Sequence, residues 1–235
     1  MNWVADDDPV LARALFGPPS VVLGARPGRG DPMTSFMWPS FRRFSGTPAS
    51  WFRAYGTVVY DPENWEATPL REREHPADYF RQFGALGHSY GIKVLITPHP
   101  GLVTVEGADC SAQSGESEID AFLRCDLMGQ AARYADMVEV QAQQLEGDTS
   151  AYRSFVERAA AQARTANPHV LVIAGLSPKA RTTAGQMYEA WNSVRDLVDG
   201  YYLSISVNER VPTALAFLHM LPLPEAVASP TSSDG

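Results

Sequence analysis

From Thr57 onward, short β-rich runs alternate with longer stretches of helical periodicity, and this alternation constrains the fold more than any other feature of the chain. Two parallel strands need a crossover of a dozen or more residues, which a helix supplies, so repeated βα units imply a parallel sheet with helices packed on it. Six such units can be traced. The first strand is the weak Ser20-Val21-Val22-Leu23, followed by a Gly/Pro-rich loop through Pro39 and a helix near Pro48 to Tyr55. The second strand, Thr57 to Tyr60, leads to a helix over Ala77 to Tyr90, where Phe80, Phe83 and Leu86 recur at helical spacing before Gly91 stops it. Ile92 to Thr97 is the third strand, and its helix, Glu118 to Tyr134, follows a Gly/Ser/Glu-rich loop over 101–117, long for such a unit and a candidate lid. Met137 to Gln143 is the fourth strand; the next helix carries Tyr152, Phe155, Val156, Ala159 and Ala163 on one stripe, with Thr149 or Ser150 as its N-cap. Val170 to Ala174 is the fifth, with a helix from Thr183 to Leu197, and Tyr201 to Ser206 the sixth. Val211 to Leu221 reads as a final helix or strand, and the Pro/Ser tail over 222–235 as disordered.

A length of 235 residues lies near the ~250 typical of a barrel of eight βα units. The expected fold is therefore α/β, a single TIM-like (β/α) barrel domain over residues 1–221. The strand count is short of eight, so either weak strands hide near the ends or the barrel is incomplete, distorted or open. A net charge of −8 and a pI near 5.1 argue against a nucleic-acid backbone or an anionic membrane surface as partner, since both call for clustered Lys and Arg. The expected partner is a small molecule or a glycan, with the oligomeric state left open. No apolar run approaches the roughly 20 residues of a membrane span, and the acidic start is unlike a secretory signal, so a cytoplasmic protein is expected. Cys110 and Cys125 are too few for a disulfide framework and read as two reduced thiols.

Candidate chemistry concentrates where Thr57-Val58-Val59-Tyr60 runs into Asp61-Pro62-Glu63-Asn64-Trp65. Side chains alternate along a strand, so Thr57, Val59, Asp61 and Glu63 share one side and Val58, Tyr60 and Pro62 the other. Both carboxylates thus fall at the C-terminal end of a parallel strand, where ligands bind in such folds. Other strands continue the pattern. Leu95, Thr97 and His99 alternate with Val94, Ile96 and Pro98; Glu139, Gln141 and Gln143 with Val138, Val140 and Ala142; Tyr202, Ser204, Ser206 and Asn208 with Tyr201, Leu203, Ile205 and Val207. A pocket of Asp61, Glu63, His99, Glu139, Gln141, Gln143, Tyr202 and Ser204 is rich enough in donors and acceptors for a hydroxylated ligand. Trp65 is either a stacking platform for a sugar or a cover for the barrel rim. His99 reads equally as an ordinary loop histidine, and Glu139 as a structural acid with Lys93 as its partner. Asp61, Glu63, His99 and Glu139 could ligate a metal, but no recognised spacing supports it, and no metal or cofactor is expected. Gly24, Gly28 and Gly30 lack the Gly-Lys-Ser/Thr of a phosphate loop, and Arg29-Gly30-Asp31 is an adhesion tripeptide by letter only.

The order of these motifs resembles the second half of a chitinase-type (family 18-like) glycoside hydrolase barrel, over about residues 57–207. Tyr60-Asp61-Pro62-Glu63 is similar to that family's acid motif, Ile92 to Pro98 to its following strand, Asp136-Met137-Val138-Glu139-Val140-Gln141 to the strand bearing Val-Gln, and Asp199 to Ser204 to its last strand. The resemblance implies Glu63 as the general acid that protonates the glycosidic oxygen. It implies Asp61 as the group that orients the substrate's acetamido arm and stabilises an oxazolinium intermediate, a substrate-assisted exception to the two-carboxylate scheme. The chain departs from the family at Tyr55, Val58 and Val59, where further acids are expected, at Gln143 in place of a Tyr, and near Ser204, where a strand-end Trp is absent. Only 56 residues precede the acidic strand.

The expected function is thus a carbohydrate-active, glycoside hydrolase-like barrel acting on a glycoside or polyhydroxylated small molecule by acid/base catalysis, with Glu63 as acid/base and Asp61 as helper. The alternative is a non-hydrolytic barrel binding a small molecule: a cyclase or isomerase of specialised metabolism, or a catalytically dead sugar binder.

Overall fold

Each strand in the computed structural model pairs with its successor in sequence, and each pairing is parallel. The structure describes residues 8–16, 22–23, 34–52, 55–178, 182–205 and 210–222. After helix α1 (Pro9–Phe16), the strands follow as β1 (Val22–Leu23), β2 (Thr34–Trp38), β3 (Thr57–Tyr60), β4 (Lys93–Ile96), β5 (Met137–Val140), β6 (Leu171–Leu176) and β7 (Gly200–Leu203). Strand β1 is a two-residue stub, and the other six form the body of the sheet. An order without reversal sends successive crossovers to one face, so the sheet curls about the other; a reversal would clothe both faces in helices. The result is an α/β half-barrel consistent with an incomplete TIM-like barrel. Among the described residues no pairing joins β7 back to β1.

The helices are α2 (Phe41–Ser45), α3 (Ala49–Phe52), α4 (Leu70–Glu74), α5 (Pro76–Ser89), α6 (Glu118–Arg124), α7 (Leu127–Ala132), α8 (Thr149–Ala166), α9 (Ala184–Val194) and α10 (Val211–Leu218). Alternate strand residues Val58, Tyr60, Val94, Ile96, Val138, Val140, Val172 and Ala174 are fully buried and belong to one cluster with Phe80, Phe83, Met128, Phe155 and Val156 of the helices. Burying each larger side chain of this layer stabilises the fold by roughly 1.5–3 kcal/mol. The Tyr60 ring stacks on Phe83 at 4.8 Å, and Phe83 on Phe44 at 4.0 Å. Beyond its ring, the Tyr60 hydroxyl donates to Glu72 Oε2 at 2.8 Å. The buried Glu72 also accepts from the backbone N–H groups of Phe41 (2.7 Å) and Arg42 (3.0 Å), so one carboxylate ties α4 to the first turn of α2 and to the end of β3.

Several expectations need correction. The Gly/Pro-rich loop contains β2, which the local pattern hides; its Phe36 and Trp38 pack on Trp51 at 4.8 and 5.1 Å, and these tertiary contacts hold a strand that composition speaks against. The helix expected over Glu118–Tyr134 is two helices, broken at Asp126, whose φ of 52° is left-handed. Strand β5 ends at Val140, and the fold of Ala142 N–H onto Val140 O turns the chain there, so Gln141 and Gln143 lie beyond the strand. Helix α8 is capped by Asp148, which accepts from Ala151 N–H, rather than by Thr149 or Ser150. The segment over Val211–Leu221 is a helix through Leu218. Residues 223–235, the glycine stretch Gly24–Gly30, Asp31, Ser206 and Asn208 lie outside the described residues.

At the N-terminal ends of the strands two acids play matching parts. Asp136 and Asp199 immediately precede the cores of β5 and β7, and each accepts the N–H of a neighbouring strand, Val94 at 2.9 Å and Val172 at 2.8 Å. Asp136 also takes Lys93 Nζ at 2.8 Å, which corrects the expected pairing of Lys93 with Glu139: the lysine points out at the opposite end of its strand. Its three hydrogen-bond donors, Lys93, Val94 and His88, outweigh partial burial and hold the Asp136 carboxyl below the usual range.

The expected lid is tied down. Pro100–Thr104 forms a 3-10 turn, Ala112 N–H donates to Val103 O at 2.7 Å, and Arg124 reaches Glu116 and the Ser111 carbonyl, both at 2.8 Å. Cys110 and Cys125 are joined in a disulfide across 15 positions, with Cα atoms 5.8 Å apart, and are not the two free thiols expected. Two cysteines are few, yet the turn of the loop brings their Cα atoms within bridging distance. Such bonds persist in oxidising compartments and are rare in the cytosol. Reduction is expected to lower the unfolding free energy by about 3 kcal/mol, the loop-closure entropy of a loop of this length. Urea unfolding with and without reductant, and of a Cys110→Ser/Cys125→Ser variant, checks this; coincident curves would show a bond that leaves the denatured chain no more restricted.

Candidate functional site

The inner face of the half-barrel is polar at the C-terminal ends of its strands. With Val58 and Tyr60 packed on the helices, alternation turns Val59 and then Asp61 inward. Asp61 Oδ1 accepts from Thr97 Oγ1 at 2.6 Å, beyond β4, and from Gln141 Nε2 at 2.9 Å, beyond β5. The second proton of the Gln141 amide goes to the Thr97 carbonyl at 2.7 Å. Both donor positions of that amide are therefore occupied within the protein, and its oxygen remains as the acceptor it can offer a ligand. Burial raises the Asp61 carboxyl, with the bonds from Thr97 and Gln141 working against it.

Glu139, 2% exposed, is the deepest acid of the group. Gln143 Nε2 donates to its Oε1 at 2.9 Å, made reachable by the turn after Val140. Burial first, then the negative charge of Asp61, pushes Glu139 well above the ordinary glutamate range, and Glu63 adds to the effect. Gly175 on β6 makes room for this pair: a Cβ there would lie 2.6 Å from Glu139 Oε1 and 2.5 Å from Gln143 Nε2. From β7, burial and then the Glu139 charge raise the Tyr202 phenol to about 12, with a hydrogen bond to Ser204 opposing them.

Above this layer lies a cleft of about 200 Å³, lined by Glu63, His99, Gln141, Gln143, Gln144, Ser177, Ser204 and Arg210. His99 Nδ1 accepts from Gly101 N–H at 2.9 Å, so in its neutral form the ring carries its proton on Nε2. Ser177 is positioned by its own N–H, which donates to the buried Glu146 Oε1 at 2.6 Å, and Ser204 by its N–H to Leu176 O at 2.8 Å.

Of the residues singled out from sequence, Glu63, His99, Gln141, Gln143 and Ser204 line this one cleft, while Asp61 and Glu139 lie behind it, connected through the two amides. Tyr202 joins them electrostatically. Trp65 is 48% exposed and is not among the lining residues. Sequence reasoning missed Gln144, Ser177 and Arg210. Gln144 directly follows the alternating run that ends at Gln143, but nothing local marks Ser177 or Arg210. Among the described residues no cluster of His, Cys, Asp and Glu could hold a metal ion.

No family model matches the chain, and no curated protein matches it. Solved structures that are similar at low level include these two. A complex of the virulence factor SghA with its substrate analog salicin aligns with 63% of this chain at 14% identity and a TM-score of 0.36, and the chain spans only 40% of that protein's length. Thiamine phosphate pyrophosphorylase from Pyrococcus furiosus aligns over 78% of this chain and 92% of its own at 13% identity and a TM-score of 0.22. Neither bears on the chemistry of the cleft. Among the described residues no helix is long and apolar enough to cross a membrane.

Proposed function

We propose that the chain is a carbohydrate-active protein that acts on a glycoside or a similar polyhydroxylated small molecule by acid/base chemistry in this cleft. The observation that carries the reading is the gathering of three carboxyls and two amides at the ends of β3 to β5, with Asp61 and Glu139 each bonded to one amide and raised by burial. A carboxyl kept neutral near physiological pH can donate a proton to a leaving oxygen, and a neighbouring carboxylate is one way of keeping it so. In this scheme Glu63, which lines the cleft, is the acid/base. Asp61 and Glu139 set the local field, and the Gln141 and Gln143 amides orient ligand hydroxyls. Resemblance of Tyr60 to Glu63 to the chitinase-type acid motif is consistent with that assignment of roles.

The test is heat-induced unfolding and turnover against a panel of glycosides, chitin fragments and polyols, with Glu63→Gln beside the wild type. A ligand should raise the midpoint in both proteins, because binding to the native state stabilises it, while the variant loses about 10²–10⁴ in turnover. Full activity of Glu63→Gln on an identified substrate removes Glu63 from the chemistry. A second reading, a non-hydrolytic binder or a cyclase or isomerase, is favoured by one observation: Asp61 is engaged by Thr97 and Gln141 and does not itself line the cleft. Ligand-induced stabilisation without turnover would select it.

A further inference from the structure

Arg210 stands immediately before α10 and lines the same cleft as Glu63. On a flat sheet, β3 and β7 would be about 19 Å apart at ordinary strand spacing. Curling brings loops from both strands onto one cavity, so a ligand filling it meets both an acid and a guanidinium. Among the described residues Arg210 is the only Lys or Arg lining the cleft, and no carboxylate of those residues pairs with it. Ser177 and Ser204 line the same cleft, and their backbones are pinned by Glu146 and Leu176, so their positions are set. A half-buried guanidinium with no counter-charge among the described residues, in a ligand-sized cavity, is a seat for an anion, and its planar fork matches the two oxygens of a carboxylate.

Resting on the carbohydrate reading of the cleft, we infer that its ligand carries a single carboxylate, a sugar acid or uronide, held by Arg210 with Ser177 and Ser204 beside it. Charge balance selects a carboxylate over a phosphate. Phosphate brings close to two negative charges, and among the described residues this cleft offers one cation while Glu63 lines it and Asp61 and Glu139 lie behind.

Titration calorimetry of the whole chain with glucuronate, glucose and glucose 6-phosphate tests the inference, for the wild type and for Arg210→Gln and Arg210→Lys. The wild type should bind glucuronate about tenfold or more tightly than glucose, the scale of a charge-assisted hydrogen bond. Arg210→Gln should remove that preference, and Arg210→Lys should restore part of it. Equal binding of glucuronate and glucose, a preference that survives Arg210→Gln, or tighter binding of glucose 6-phosphate than of glucuronate each overturns the carboxylate. Should Arg210→Gln fail to fold, the wild-type comparison decides alone. Glucose binding indifferent to Arg210 leaves the carbohydrate reading standing. Binding of none of the three overturns this inference, while the glycoside panel above judges the broader one separately.

Discussion

Replacing Glu72 with alanine is expected to lower the unfolding free energy by about 4 kcal/mol, among the largest losses a single change away from the cleft should cause. Three contributions add. The first turn of α2 loses the acceptor for Phe41 and Arg42 N–H, a loss of about 1–2 kcal/mol by analogy with an N-cap. The fully buried Tyr60 hydroxyl is left without its acceptor, a further ~1–3 kcal/mol. The space vacated between α4 and β3 adds a cavity term. In a chain of this length the midpoint should fall by roughly 8–16 °C. Glutamine in its place keeps one acceptor oxygen and fills the volume, so Glu72→Gln should lose about half as much. Urea unfolding of both variants checks the order; a loss under about 1 kcal/mol for the alanine would mean that water replaces the carboxylate freely. The site should be little affected, since Tyr60 faces the helices and Asp61 the interior.

Valine at Gly175 should have the opposite profile, a modest loss of stability, about 1–3 kcal/mol from overpacking, with loss of ligand response. The added Cβ would meet both Glu139 Oε1 and Gln143 within 2.6 Å, and the pair would have to separate. Without the Gln143 bond the amide swings from its place in the cleft wall, and ligand affinity should drop about tenfold or more. Dependence of stability on pH supplies a second readout. Burial raises Glu139 above its ordinary 4.5, so the native state binds the proton more tightly than the unfolded chain. Its stabilising contribution is complete below 4.5 and is lost as pH rises through the higher native value. A Gly175→Val protein whose Glu139 is displaced toward water should show a flatter decline over that window. An unchanged slope together with wild-type ligand binding would show that the pair tolerates the methyl groups.

Strands and helices from Thr57 onward were legible because their apolar residues follow strand and helix periods cleanly: β3 falls where Thr57–Tyr60 was read, and α5 and α9 within two or three residues of their expected bounds. Strand β2 was not, because what holds it is a set of aromatic contacts made by distant residues. The inward polar row was legible at Asp61, Thr97 and Glu139 by alternation alone. Alternation failed past Val140, where a turn takes over, yet Gln143 still arrives beside Glu139. Glu72 and the Cys110–Cys125 bond were illegible for one reason: each draws its meaning from a partner placed by the tertiary fold, and neither carries a local pattern that announces it.

Because each strand adds to the edge laid down by its predecessor, the half-barrel can assemble in the direction of synthesis. Asp61, Thr97, Glu139, Gln141 and Gln143 belong to β3, β4 and β5 or to the loops that follow them, so the acid–amide set could form on the ribosome before the Gly175 strand emerges. Its last wall, with Ser204 and Arg210, follows β7 in the order of synthesis. A nascent chain would hold its buried acids open to water until then, and of the described lining residues Arg210 would be the last to take its place before the cleft is ready for a ligand.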